Sequence, residues 1–270
     1  MKTNTSIKWQ VLRNGIEKYL VKNFKIFVPS SAGNYRALGA HTLVSINIIF
    51  PLISKLLKTL KLVPNICKVQ KFYNKKKYFD NVERIKNYFN KYQSDKSTTH
   101  NYHLVYGSLF KNKKKIKKIL EIGLGTNNEK LISNMGKFGK PGASTKAFRD
   151  FFENAKVYGA DIDKKILFKD HRIKTYYVDQ TNIKSLEKLF NKVGKNFDII
   201  IDDGLHAPYA NISVIITALN KIKKNGWLVI EDIPKIAKPI WETICCLINL
   251  KHYSVLIETK NTYLFLINKK

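Results

Sequence analysis

Arginine is scarce in this chain: of 49 basic residues only Arg13, Arg36, Arg84, Arg149 and Arg172 are not lysine. Bidentate reading of bases and phosphates relies on the guanidinium fork. A net charge of +29 draws the chain toward polyanions such as nucleic acid, anionic lipid or phosphorylated glycan. A lysine-only excess, beside abundant Asn and Ile, fits an AT-rich genome equally well and singles out none of them. Cysteine is also sparse. Cys67, Cys245 and Cys246 form no CxxC or Cys/His ligand spacing, which argues against a zinc site and a disulfide framework and suits a reducing, cytoplasmic compartment. Long apolar runs are missing too. The longest, 42–54, is broken by Asn47 and Pro51 and falls short of the roughly 20 residues that a membrane span needs. A buried helix is expected there, with peripheral contact to an anionic membrane as the alternative. The opening MKTNTSIKWQ has no apolar stretch of the kind a secretory signal carries. What the chain does have is core material, 44% hydrophobic and 12% aromatic, which excludes wholesale disorder.

Residues 1–93 read as a basic, mainly helical extension. Pro29, Pro51 and Pro64 punctuate it, and 71–90 has the pattern of a basic amphipathic helix. A polar stretch at 94–102 follows, then a short helix over 103–111. From Lys117 onward the texture changes. β-Branched runs at 119–122, 156–160, 173–178, 197–201 and 227–231 alternate with helical stretches at 145–152, 183–192, 208–221 and 235–247. Such alternation builds a parallel sheet with helices on both faces. Two further strands, 253–258 and 262–267, are joined too closely for a parallel crossover and must form a hairpin. The expected fold of 94–270 is therefore α/β: a Rossmann-like, seven-stranded, mostly parallel sheet closed by a C-terminal antiparallel hairpin. That is the arrangement of a class I methyltransferase rather than of a dinucleotide-binding domain.

The first of these strands ends in Glu121-Ile122-Gly123-Leu124-Gly125. Glycines at a strand-to-helix turn let backbone approach a ligand closely. The second strand ends in Asp161, placed to accept hydrogen bonds from ribose hydroxyls and far beyond the spacing of about 20 residues of a dinucleotide fingerprint. The third ends in Asp179-Gln180, where adenine is met in this fold. Each acid alone would pass for a loop residue or a helix cap. Three strand ends in order point to S-adenosylmethionine (SAM), held by Glu121, Gly123, Gly125, Asp161, Asp179, Gln180 and Asp202.

Strand four ends in Asp202-Asp203-Gly204-Leu205-His206 and strand five in Glu231-Asp232. These strands are neighbours in this topology, so both acid pairs converge on the ligand-binding edge of the sheet. Clustered carboxylates repel unless a cation neutralises them, and Mg²⁺ suits a few carboxylates with water and substrate oxygens. Successive strand residues face opposite ways, so Asp202 is expected to face the cofactor and Asp203 the metal. His206 is suited to act as general base. A capped helix and a packed histidine are the plainer explanation of one such pair; two pairs and a histidine at one edge favour a metal site.

The runs Ile201-Asp202-Asp203-Gly204-Leu205-His206 and Ile230-Glu231-Asp232 resemble the metal-dependent sugar O-methyltransferases of the macrocin and mycinamicin type, with their cephalosporin-hydroxylase-like relatives. The resemblance extends to Ser94-Asp95-Lys96 with His100 and Tyr102, and to Phe148-Arg149-Asp150-Phe151-Phe152. It implies SAM on Glu121, Gly123, Asp161 and Asp179, Mg²⁺ on Asp203, Glu231 and Asp232, His206 as base, and a hydroxyl of a sugar, glycan or sugar-bearing small molecule as acceptor. Related enzymes are often multimeric. Leu205 and Ser144-Thr145-Lys146 depart from the usual pattern and bear on substrate geometry. Two other readings compete. The charge favours an RNA methyltransferase, but Ala207-Pro208-Tyr209 lacks the polar residue and second proline that base methylation uses, and Pro208 fits the first turn of a helix. A non-catalytic SAM-fold protein on an anionic membrane is the other, against which the intact acids and His206 argue. The Gly-, Lys- and Asn-rich stretch 125–144 is a candidate lid.

Overall fold

The computed structural model describes residues 35–270, with side chains from residue 47 onward. Residues 1–34 of the basic extension lie outside the described residues. The chain divides into two compact units, Met1–Leu62 and Val63–Lys270. In the first, helix α1 (Tyr35–Thr59) carries Pro51 internally. Ile48 and Leu52 are about half exposed along it, so the helix expected to be buried over 42–54 is not buried at these two positions. No helix among the described residues is long and apolar enough to cross a membrane.

The second unit is built on a nine-stranded sheet. Its strands are β1 (Ile66–Lys68), β2 (Lys118–Ile122), β3 (Lys156–Asp161), β4 (Lys169–Asp170), β5 (Ile173–Tyr177), β6 (Phe197–Asp202), β7 (Ile222–Ile233), β8 (Tyr253–Glu258) and β9 (Tyr263–Asn268). They lie in the order β1-β8-β9-β7-β6-β2-β3-β5-β4. β9 runs antiparallel to both β7 and β8, so the hairpin closes a parallel sheet as the sequence implies. Two strands exceed the expected seven. β1 pairs with β8 and β4 with β5 at the two edges; at three and two residues they are too short to register as a pattern. The unit also starts earlier than residue 94. Residues 63–93 contribute β1, a short helix α2 (Val69–Phe72) and α3 (Lys75–Lys91), and Val82, Ile85 and Phe89 of α3 are buried.

Side-chain alternation sorts the strands onto two cores. Leu120, Ile122, Ile200, Leu228 and Ile230 face one side, packed under α6 (Ile183–Val193), α7 (Pro208–Ala218) and α8 (Lys238–Asn249). Ile119, Ile199, Ile201 and Val229 face the other, toward α3, α4 (His103–Tyr106) and α5 (Ala143–Phe151). Phe148 of α5 is fully buried there against the rings of Phe89, Tyr106 and Phe152; truncating such a side chain to alanine costs about 3–5 kcal/mol. The same parity fixes where the acids go. Glu121 follows Ile119, Asp203 follows Ile201 and Glu231 follows Val229 onto the α3–α5 side. Asp202 follows Ile200 onto the opposite side.

Candidate active site

The C-terminal ends of β2, β3, β5, β6 and β7 border one cavity of about 810 Å³. Gly123 and Gly125 line it with φ of +94° and +74°, a region that suits glycine. A Cβ on Gly123 would sit 2.1 Å from the backbone oxygen of Asp203. The glycine therefore lets the β2 and β6 loops touch. Above Gly125 lies Met135, part of the candidate lid. That stretch is tied down by Ser133 Oγ donating to the Gly204 carbonyl at 2.9 Å and by the Met135 amide donating to the Thr126 carbonyl at 2.8 Å. Ile132 and Phe138 stand out of it, each 93% exposed.

On this side of the cavity the polar groups largely satisfy one another. Asp161 lines it and accepts from the Leu124 amide at 2.7 Å and the Asp163 amide at 2.8 Å. Asp179 lines it from an exposed turn and accepts from the Thr181 amide. Gln180 donates to Asp202 at 2.6 Å and accepts from the Leu205 amide at 2.8 Å. Asn211 takes the other oxygen of Asp202 at 2.9 Å. Asp202, expected to face the cofactor, is fully buried beneath the cavity and meets its lining through Gln180 and the Gly204 amide; burial pushes its carboxyl up to about 6. Glu121 is also fully buried below the lining and accepts from Thr145 Oγ1 at 2.5 Å.

The other side is different. Asp203, His206 and Asp232 each offer a ligand atom within 4.8 Å of the others. They are partly exposed and all line the cavity. His206 and Asp232 have φ of +59° and +52°, a region that residues other than Gly, Asn, Asp and His seldom adopt. Nδ1 of His206 is buried with no hydrogen-bond partner. Asp232 is fixed by the Tyr102 hydroxyl, which donates at 2.5 Å, and His100 Nδ1 lies 3.3 Å away. Burial and then Asp232 hold the Tyr102 hydroxyl protonated, well above its ordinary range. Glu231, expected as the third metal ligand, is fully buried, and its two oxygens already accept from Lys96 at 2.5 Å and from the Tyr106 hydroxyl.

Lys96, Tyr106 and Tyr102 complete a site that strand-end reading alone does not reach. A signal for them exists: His100, Tyr102 and Tyr106 follow Ser94-Asp95-Lys96 closely, and Tyr102 and Tyr106 are spaced one helical turn apart.

No family model matches the chain. Solved structures do match. MycE, a methyltransferase of the mycinamycin biosynthetic pathway in complex with Mg and SAH, superposes with a TM-score of 0.56 at 22% identity, covering 69% of this chain and 55% of that one. A second structure of MycE, in complex with Mg, SAH and mycinamycin VI, gives 0.56 at 20% identity. The fold is that of a SAM-dependent methyltransferase. Curated relatives match part of the sequence. An 8-demethyl-8-alpha-L-rhamnosyl tetracenomycin-C 2'-O-methyltransferase of Streptomyces olivaceus is 28% identical over 141 residues, 52% of this chain and 35% of that enzyme. Mycinamicin VI 2''-O-methyltransferase of Micromonospora griseorubida is 35% identical over 92 residues, covering 34% and 23%. Demethylmacrocin O-methyltransferase of Streptomyces fradiae is 31% identical over 116 residues, covering 43% and 27%. The chain thus spans about a quarter to a third of the length of these relatives.

Proposed function

We propose that the chain is a SAM-dependent O-methyltransferase, assisted by a divalent cation such as Mg²⁺, that methylates a hydroxyl of a sugar or sugar-bearing small molecule. The observation that carries this reading is the convergence of Asp203, His206 and Asp232 on the cavity that the Gly123–Gly125 loop also lines. Two partly exposed carboxylates and a left-handed backbone at two of the three positions are a donor set shaped for a cation, and the partnerless Nδ1 of His206 fits a group still to receive a ligand or a proton.

In this reading Asp161, Asp179 and Gln180 with the two glycines form the SAM side, and Asp202 and Glu121 brace it from beneath. Asp203 and Asp232 hold the cation, whose contribution when bound is to lower the pKa of the acceptor hydroxyl. His206 takes the proton from that hydroxyl. Tyr102 keeps Asp232 oriented. Most of the rate then comes from alignment of the hydroxyl oxygen with the methyl carbon and from preorganised charge. The sugar O-methyltransferases among the relatives support the choice of acceptor class.

Radiolabelled SAM, offered with rhamnosylated and other glycosylated small molecules in Mg²⁺ or in EDTA, tests it. The expected result is transfer to a sugar hydroxyl that EDTA abolishes and that Asp203→Ala lowers by roughly a thousandfold or more. Transfer unchanged by EDTA and by Asp203→Ala removes the cation from the reading; transfer to RNA and not to sugars replaces the acceptor class.

A further inference from the structure

Lys96 is 2% exposed, a burial that a lysine tolerates only when paired. Its ammonium lies 2.5 Å from Glu231 Oε2, 2.6 Å from Asp203 Oδ2 and 3.7 Å from Glu121 Oε1. Strand parity sends these three carboxylates to the same side of the sheet, so without a cation between them they repel. Among the described residues, Lys96 is the basic side chain that all three share. Glu231 has its other oxygen on Tyr106, and Glu121 has its own on Thr145. Asp203 differs from both: Oδ2 is on the lysine, while the side chain keeps 22% exposure toward the cavity.

We propose that Lys96 is a positioning residue for the reaction: it is the resident cation of the pocket floor, it keeps Glu231 for itself, and it holds Asp203 with one oxygen committed and the other presented to the metal. The metal part of this inference rests on the function proposed above; the lysine–glutamate part does not. Two cations that share a carboxylate repel each other. Lys96 therefore weakens Mg²⁺ binding while it sets the geometry in which the bound ion is useful.

The experiment uses the full chain and three variants, Lys96→Met, Glu231→Gln and the double variant. Melting is first measured in EDTA. Lys96→Met is expected to lower Tm by roughly 10 °C or more, because it leaves buried acids unpaired, and Glu231→Gln in the same chain is expected to recover at least about half of that loss. MgCl₂ is then titrated calorimetrically into SAH-loaded protein. Lys96→Met is expected to bind Mg²⁺ roughly tenfold tighter and to turn over roughly a hundredfold more slowly. A merely structural lysine would lower affinity and turnover together. If Lys96→Met does not fold, the double variant carries the test, and its Mg²⁺ affinity should match or exceed that of the parent. A Tm loss that Glu231→Gln leaves untouched overturns the proposal, as does Mg²⁺ affinity that weakens or stays unchanged. If the parent itself binds no Mg²⁺, the proposed function fails, and the melting arm in EDTA still decides the coupling of Lys96 to Glu231.

Discussion

The two sides of the cavity are built from the same materials and finished differently. On the β3–β5 side, Asp161 and Gln180, with Asp202 of β6 behind Gln180, spend their hydrogen bonds on the protein itself. On the β6–β7 side, Asp203, His206 and Asp232 lean into the cavity from strained or partly exposed positions. The first is a finished frame, whose satisfied groups fix loop shape before any ligand arrives. The second is a cluster whose side chains keep part of their surface open to the cavity. A group that binds by shape belongs on the first side, and a group that binds by charge belongs on the second. The difference also separates the expected consequences of mutation, since frame changes cost stability and cluster changes cost chemistry.

The largest effect is expected from Asp232→Asn. The change keeps shape and removes half the carboxylate charge that faces the cavity from Asp203 and Asp232. Turnover should fall roughly a thousandfold, about 4 kcal/mol in barrier, while Tm moves by no more than a few degrees and SAH binding stays within about threefold. Equal losses in turnover and SAH affinity would erase the division between the two sides.

Next comes Gly123→Ala, aimed at the seam between them. The added Cβ has no room beside the Asp203 carbonyl and the residue must hold φ +94°, so the loops must part. A loss of about 3 kcal/mol, or roughly 6–12 °C in Tm for a unit of this size, is expected. SAH affinity and Mg²⁺ affinity should weaken together, because this one contact registers both sides. Loss of one affinity alone would show that the sides are assembled independently.

How much of this the sequence discloses follows from how local each feature is. Strand ends with an acid after a β-branched run are local, and Asp161, Asp179, Asp203 and Asp232 line the cavity at those ends, whereas Glu121 lies buried below the lining. The split of Asp202 from Asp203 is legible from alternation alone. Edge strands of two and three residues are not legible. The start of β7 is hidden because Lys223-Lys224-Asn225-Gly226 reads as a turn, whereas the chain passes through it with a register shift between Phe197 and Ile199 on the neighbouring strand. The short helix α4 stops at Tyr106, well before residue 111. It does so beside Gly107, where a Cβ would strike the backbone of Val82 on α3, a tertiary contact with no local trace. The role of Lys96 is hidden for the same reason: 107 and 135 residues separate it from Asp203 and Glu231.

The smallest effect is expected at His103 on α4, outside the cavity lining. His103 is 7% exposed, and its Nδ1 has no hydrogen-bond partner. Burial, with Lys86 nearby, lowers its pKa to about 4 from an ordinary 6.5. The folded chain thus prefers the neutral ring, and between pH 4 and 6.5 the unfolded chain binds more protons than the folded one. Stability from this residue is complete above about pH 6.5 and is lost as pH falls toward 4, roughly 1–2 kcal/mol of it between pH 7.5 and pH 5. His103→Leu removes the titrating group and keeps most of the apolar volume, so the difference in Tm between pH 7.5 and pH 5 should shrink by roughly 2–6 °C. Turnover at pH 7.5 should be unchanged, since His103 contacts neither side of the cavity. An undiminished pH dependence in His103→Leu would assign the acid sensitivity to the carboxylates of the pocket instead, and with it would move the weak point of the fold from the α3–α4 packing to the cavity.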